Sequence, residues 1–262
     1  MKIREITDYL DSQVHPEFQE SYDNAGFLLG DPERECTGVM IALDLTMEVV
    51  EEAVEKGANL IVTHHPMIFG GVKRITPKDM VGRLIMKLIK SDIAAYAAHT
   101  NLDNLMDGVN GILAFQLGLT NCHILRQLEG QPSPEVGAGM IGELPYPMPT
   151  EAFLEQVKMA LGLPLLRMSE VAGPVVSRVA ICGGAGNFLI EDAVRQGAEV
   201  YLTGDMKYHD FQRSEGRITL VDIGHYESEQ FCRQLIYSII SKKFCNFACF
   251  ISERGKSFVR YI

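Results

Sequence analysis

An eleven-residue stretch occurs twice in the chain, and this repeat constrains the fold more than any other sequence feature. Residues 53–63 align without gaps on residues 193–203. In both copies we expect a helix to end at a glycine, Gly57 or Gly197, because glycine readily adopts the left-handed conformation that follows a helix. The four or five apolar residues that come next predict a buried strand in each copy.

The same pattern extends on both sides of the repeat. An apolar strand is predicted before each copy, at residues 39–43 and 179–182, and a helix and a third strand are predicted after it, at residues 93–98 and 218–221. Strands that are apolar on both faces and separated by helices are typical of largely parallel sheets covered by helices. We therefore expect an α/β fold built from two similar β-α-β-α-β lobes.

The lobes are expected to span residues 1–125 and 175–262 and to pack as one compact unit. Residues 126–174 between them contain many turn-forming residues, and they predict a connector with a short strand at 137–142 and a helix at 150–161.

Composition excludes several classes of protein. A net charge of −10 opposes broad attraction to nucleic-acid backbones, so we expect no nucleic-acid partner. No run of about 18 uncharged apolar residues is present, and no membrane span is expected. The six cysteines are scattered and lack the Cys-x-x-Cys spacing, which is typical of reduced cysteines in a cytoplasmic protein.

Histidines and acids follow the predicted strands of both lobes. They are His64 with His65, residues 99–103, Gly204 with Asp205, and residues 222–225. Ligands of parallel sheets bind beyond the carboxyl ends of the strands, and imidazole and carboxylate groups bind divalent metal ions. The pattern predicts a two-metal site.

Each candidate ligand also has a simpler interpretation. If a helix begins near Gly224, His225 and Glu229 lie one turn apart on one face, as metal ligands would, or they form a solvated helix start with a favourable acid. His64 and His65 leave a strand in opposite directions, so each binds its own metal ion, or one binds a metal ion while the other supports the ligands, or they are hydrogen-bonded core histidines. Asp103 is a ligand or a turn residue.

Further polar residues lie near these positions in the chain. Asp205 and His209 are expected to face one pocket, where either would orient or deprotonate a water molecule or hold a ligand in place. Lys73 and Arg74 follow two glycines and either neutralise a phosphate group or form a solvated loop.

Five motifs are distributed along the chain: residues 22–30, residues 63–69, residues 98–103, residues 203–205 with His209, and residues 222–229. With these motifs the chain resembles the Nif-three-like family, whose members are often described as GTP cyclohydrolase I type 2 homologues.

The resemblance implies a dinuclear centre with two divalent ions per subunit, of zinc, iron, manganese, cobalt or nickel. The ligands it implies are His64, His65, Asp103, His225 and Glu229. It also implies two α/β lobes that face each other across the metal site, and a ring-shaped homohexamer.

Our hypothesis is a metal-dependent hydrolase that acts on a nucleotide or a related phosphorylated heterocycle, as in the ring opening of GTP by water. His99, Asp205 or His209 would assist catalysis, and Lys73 and Arg74 would bind the substrate. The alternative is a non-catalytic metal-binding scaffold or a regulatory interaction protein.

Overall fold

The computed structural model describes residues 1–262, which divide into two compact units. The first unit comprises Met1–Leu102 and Cys232–Phe258, and the second comprises Asp103–Phe231 and Val259–Ile262. None of the helices is long and apolar enough to cross a membrane.

The first unit contains a five-stranded sheet with the order β1-β4-β3-β2-β11. Its strands are β1 (Gly26–Leu29), β2 (Val39–Ala42), β3 (Leu60–Thr63), β4 (Ala94–Ala97) and β11 (Cys249–Ile251). All neighbours are parallel except β1, which runs antiparallel to β4 at the edge.

Four long helices belong to this unit: α1 (Ile3–Val14), α2 (Met47–Lys56), α3 (Met80–Lys90) and α10 (Cys232–Lys243). The helices α2 and α3 begin at side-chain caps, where Thr46 Oγ1 accepts from Val49 N at 3.3 Å and Asp79 Oδ1 accepts from Gly82 N at 2.7 Å. Buried side chains of both helices pack with those of β2, β3 and the strand β4 in one core. The α10 helix contacts α1, β2 and β11.

The second unit contains a six-stranded sheet with the order β5-β6-β8-β9-β10-β7. Its strands are β5 (Thr120–Gln127), β6 (Gly137–Pro149), β7 (Arg167–Met168), β8 (Val175–Ala185), β9 (Val200–Gly204) and β10 (Thr219–Asp222). The three strands β8, β9 and β10 are parallel, and the outer strands pair antiparallel with them or with each other.

Helices cover both faces of this second sheet. The helices of this unit are α5 (Val109–Gln116), α6 (Thr150–Leu161), α7 (Ile190–Arg195), α8 (Tyr208–Gln212) and α9 (His225–Glu229). The short helix α4 (Thr100–Asp103) belongs to the first unit except for its last residue. Val179 and Ile181 of β8 pack with α5 and α6, whereas Ala180 between them packs with α7. Successive side chains of a strand point to opposite faces, which explains why β8 is apolar at every one of these positions.

The repeat seen in the sequence forms the same local structure twice. Gly57 and Gly197 adopt φ values of 69° and 75°. The amide that follows each glycine donates to a carbonyl five residues earlier, from Ala58 to Ala53 at 2.9 Å and from Ala198 to Ala193 at 3.0 Å. These are the bonds of a Schellman motif, in which a left-handed residue ends a helix. The predicted α/β fold with largely parallel central strands is confirmed.

The division of the chain differs from the expected boundaries. Residues 137–149, expected in a connector, form a long strand that pairs with β8 in the second sheet. Residues 232–251, expected in the second lobe, form α10 and β11 of the first unit. The physical reason is strand pairing, because β11 supplies a parallel neighbour to β2, which would otherwise expose its backbone groups at a sheet edge. Neither segment is part of the repeat.

A buried carboxylate attaches the segment after β11 to α2. Glu52 is 3% exposed and accepts hydrogen bonds from Ser252 Oγ at 2.6 Å and from the backbone amides of Glu253 and Arg254, each at 3.2 Å. Lys56 Nζ lies 3.2 Å from the same carboxylate. Burial by itself raises the pKa of Glu52, but these hydrogen bonds outweigh it and lower the pKa below its usual value.

We expect Glu52→Gln to lower the free energy of unfolding by about 1–3 kcal/mol at pH 7, because the neutral amide is a weaker acceptor for these donors. Urea denaturation would measure this. Since the folded-state pKa is lowered, the stabilisation is complete above the unfolded-state value of 4.5 and is lost as the pH falls through the folded-state value. The difference between wild type and variant should therefore shrink below about pH 4.5.

Glu55→Gln is the matched control, because Glu55 lies three residues after Glu52 on the same helix and pairs with Arg254 at the exposed surface. It should change stability less than Glu52→Gln does. Equal effects of the two substitutions would contradict a special role for Glu52.

Candidate metal centre

Three histidines cluster at the carboxyl edge of the first unit's parallel strands. His64 and His65 follow β3 directly, and His99 follows β4 by two residues. Thr63 and Ala97 are register partners in the two strands, so the residues beyond them lie side by side. The ring centroids are 4.9 to 5.5 Å apart, and one nitrogen from each ring lies within 4.8 Å of the other two.

Oxygen acceptors define the tautomers of the adjacent pair. His64 Nδ1 lies 2.7 Å from the carbonyl oxygen of Ala98, and His65 Nδ1 lies 2.8 Å from Asp44 Oδ1. A carbonyl or carboxylate oxygen only accepts, so each Nδ1 carries the proton and donates it. Each Nε2 then carries the lone pair that can bind a metal ion.

His99 has the same arrangement with Asp23, an acid whose side chain is buried. Its Nδ1 lies 2.7 Å from Asp23 Oδ1, and the amide of Thr100 donates to Asp23 Oδ2 at 3.0 Å. The Thr100 hydroxyl donates to the same oxygen. Burial raises the pKa of Asp23, but the hydrogen bonds from His99 and Thr100 outweigh it and lower the pKa to about 2. Asp23 is therefore a carboxylate at neutral pH and orients the imidazole of His99.

In the second unit, His225 and Glu229 lie one turn apart on α9, as their spacing predicts. His225 Nε2 is 3.1 Å from Glu229 Oε2, and His225 Nδ1 is 2.8 Å from Asp205 Oδ2. Both ring nitrogens thus face carboxylate oxygens, an arrangement that suits a cation. The cation could be the imidazolium of His225, with a proton on Nε2, or a metal ion between Nε2 and Glu229.

The backbone after β9 directs Asp205 toward His225. Asp205 has a φ of 55°, in the left-handed region that residues other than glycine adopt at a cost of about 1 kcal/mol or more. The structure therefore shows Asp205 as the hydrogen-bond partner that orients His225.

The half-buried acid Asp103 lies near Glu229, with a carboxylate oxygen of each within 4.8 Å of the other. Burial raises the pKa of the Cys182 thiol, and the negative charges of Asp103 and Glu229 raise it further. Both carboxylates therefore lie close to this thiol, which stays neutral. Asn110 connects this region, because it donates to the carbonyl of Asp103 at 3.1 Å and accepts from the amide of Gly183 at 2.9 Å.

The next residue, Gly184, has to be a glycine. A Cβ atom at this position would lie 2.2 Å from Glu229 Oε1, and its φ is 61°. A side chain here would displace the carboxylate of Glu229, which packs directly on this backbone.

The other predicted site residues lie outside these clusters. His209 is exposed on α8 with its Nδ1 3.3 Å from Gln212 Oε1. Lys73 and Arg74 are exposed in the segment between β3 and α3.

Two of the orienting acids, Asp44 and Asp23, were not among the site residues predicted from the sequence. Asp44 lies two residues after β2, so the rule applied to the other strand ends would have found it. Asp23 precedes β1, which runs antiparallel to β4, and the start of an antiparallel strand lies at the same edge as the ends of the parallel ones. Because β1 was not predicted as a strand, the rule for strand ends did not reach Asp23, and only the family motif at residues 22–30 contained it. Side chains that can bind a metal ion are thus present in both units.

Comparison with known proteins agrees with this architecture. A "GTP cyclohydrolase 1 type 2 homolog" of Clostridium perfringens is 36% identical over 232 residues, or 87% of each chain. One of the same name from Streptococcus pneumoniae is 36% identical over 233 residues, covering 86% of this chain and 85% of the relative.

Solved structures resemble the chain over its whole length. A Bacillus cereus protein related to NIF3 superposes with a TM-score of 0.92 at 26% identity, and a hypothetical protein of Staphylococcus aureus with a TM-score of 0.91 at 34% identity. Each comparison covers 100% of this chain and 99% of the other. The family model for Duf34/NIF3 (NGG1p interacting factor 3) matches residues 1–256. The resemblance inferred from the motifs is confirmed, and the chain belongs to the Duf34/NIF3 family.

Proposed function

We propose that the protein is a dinuclear metal-dependent hydrolase that acts on a nucleotide or a related phosphorylated heterocycle. The observation that carries the proposal is the adjacent pair His64 and His65, whose Nδ1 atoms are each held by an oxygen acceptor. Proteins use this arrangement to present Nε2 to a metal ion. The substrate class is inferred from the name of the relatives, "GTP cyclohydrolase 1 type 2 homolog".

The ligands we propose for two divalent ions are His64, His65, Asp103, His225 and Glu229. A set of imidazole nitrogens and carboxylate oxygens fits zinc, iron, manganese, cobalt or nickel. Two such ions, when bound, supply Lewis acidity and activate water for hydrolysis at neutral pH. We also propose, from the family resemblance, that the chain assembles as a homohexamer in the cytoplasm.

The residues around the ligands would orient groups and move protons. His99 is the proposed proton acceptor, because its Nδ1 donates to Asp23 and its Nε2 can therefore take up a proton. The Asp23 carboxylate would stabilise the imidazolium that forms. Asp205 is a positioning residue for His225. His209 is a second candidate for proton transfer.

Lys73 and Arg74 are the proposed contacts for the phosphate of the substrate. Both side chains are cationic and exposed, in the segment that follows His64 and His65 in the chain. Guanidinium and ammonium groups form strong charge-assisted hydrogen bonds with phosphate oxygens.

A metal-binding scaffold without catalytic activity is the competing function, and a single substitution separates the two. We expect Glu229→Gln to lower the metal content of the purified protein by roughly one ion per chain, because a neutral amide is a poor ligand for these metals. Elemental analysis by mass spectrometry would measure this. Glu227→Gln on the same helix is the control, and it should leave the metal content unchanged.

The same two variants test hydrolysis. The metal-loaded wild type and Glu227→Gln should release product from at least one member of a nucleotide panel, and Glu229→Gln should be slower by roughly 100-fold or more. If metal-loaded, folded wild-type protein releases no product above the blank, the hydrolase proposal fails and the scaffold remains. Unchanged metal content in Glu229→Gln would instead remove Glu229 from the ligands.

We expect Asp23→Asn to lower kcat by roughly 100-fold or more with little change in KM or metal content. An amide in this position can donate to His99 Nδ1, which would move the proton to Nε2 and remove the proton acceptor. Steady-state kinetics and elemental analysis would check this. Asp8→Asn, at an exposed position of α1, is the control that should behave as wild type. Loss of metal together with activity would show that Asp23 only maintains structure.

A further inference from the structure

Two aromatic side chains lie exposed beside the histidine cluster, and no role assigned so far explains them. We propose that Phe69 and Tyr22 form a stacking platform for the planar heterocycle of the substrate. This inference rests on the proposed function and names the part of the protein that would recognise the base.

The rings adjoin the residue proposed for proton transfer. The centroid of Phe69 lies 6.0 Å from that of His99 with an interplanar angle of 79°, and 6.3 Å from that of Tyr22 with an angle of 40°. The first pair is edge-to-face, and both distances are in the range of attractive ring contacts. Phe69 and Tyr22 are 53% and 59% exposed, so large areas of both rings are accessible.

One short segment positions both the platform and the histidine. Tyr22 supplies a ring, Asp23 orients His99, and Asn24 Nδ2 donates to the carbonyl oxygen of Ile68 at 2.6 Å. The last bond fixes the backbone immediately before Phe69. A planar ring stacked on the aromatic pair would therefore be held in a defined relation to His99.

The chemistry of the neighbouring segment defines the class of ligand. Gly70 and Gly71 follow Phe69 directly. The exposed cations Lys73 and Arg74 come after one further residue. A nucleoside phosphate matches this combination, because its base offers a π face and its phosphate offers an anion. A simple phosphodiester or amide would make no use of the rings.

The absence of tryptophan from the chain allows a direct test. Phe69→Trp places a single fluorescent indole on the platform and keeps an aromatic face for stacking. In zinc-loaded protein, titration with GMP should quench its emission saturably, whereas ribose 5-phosphate should not. Phe115→Trp is the matched control, because Phe115 is 80% exposed on α5, and its emission should not change with GMP.

Calorimetry on a second variant measures the contribution of stacking. Phe69→Leu keeps an apolar side chain without a π face and should weaken GMP binding on the order of 10-fold, with ribose 5-phosphate binding unchanged. Because Phe69 is half exposed, the fold should be retained, and thermal denaturation would verify it.

Two results would overturn the platform: wild-type protein that binds GMP no more tightly than ribose 5-phosphate, or Phe69→Leu that binds GMP as wild type does. The hydrolase proposal is judged separately by metal content and product release. A protein that hydrolyses a substrate lacking a heterocycle but does not prefer GMP would keep that proposal and lose the platform. A protein that binds GMP through Phe69 without turnover would keep the platform and lose the hydrolase.

Discussion

The parallel pairing of neighbouring strands is the constraint on which the candidate site depends. In the first unit, β3 and β4 run in the same direction, so His64 and His99 emerge at one edge although 35 positions separate them in the chain. In the second unit, β9 and β10 are parallel, and Asp205 and His225 emerge together in the same way. An antiparallel arrangement would have sent each pair to opposite edges. The backbone hydrogen bonds of each sheet thus bring the candidate site side chains of that unit together.

Both units then use carboxylates to orient imidazoles. Asp44, Asp23 and Asp205 each lie 2.7 or 2.8 Å from the Nδ1 atom of a histidine. Burying a carboxylate is costly, and for Asp23 the cost is offset by donors from the Thr100 backbone and hydroxyl. The result is a set of imidazoles with defined tautomers, which a metal ion or a proton-transfer step requires.

Sequence alone predicted the parts of the fold that repeat, and it predicted that candidate metal ligands lie at the ends of parallel strands. It also predicted that His225 and Glu229 share a helix face, and both lie on α9, which is separate from the following α10. The features that the sequence did not reveal depend on pairing between strands that are far apart in the chain. The β11 strand has no counterpart in the repeat, and its partner β2 lies some 200 residues earlier in the chain. The role of Asp23 depends on β1 joining the edge of the sheet, which local patterns do not reveal.

The first unit consists of two segments that are far apart in the chain, and this has a consequence for protein synthesis. Its sheet gains β11 only from residues 249–251, whereas nearly all of the second unit precedes that strand in the chain. A ribosome releases the chain from its amino terminus, so the second unit can fold while β2 still has an open edge. Completion of the first sheet would then wait until residues 249–251 have left the ribosome, and a chain truncated before residue 249 would present an unpaired strand prone to aggregation.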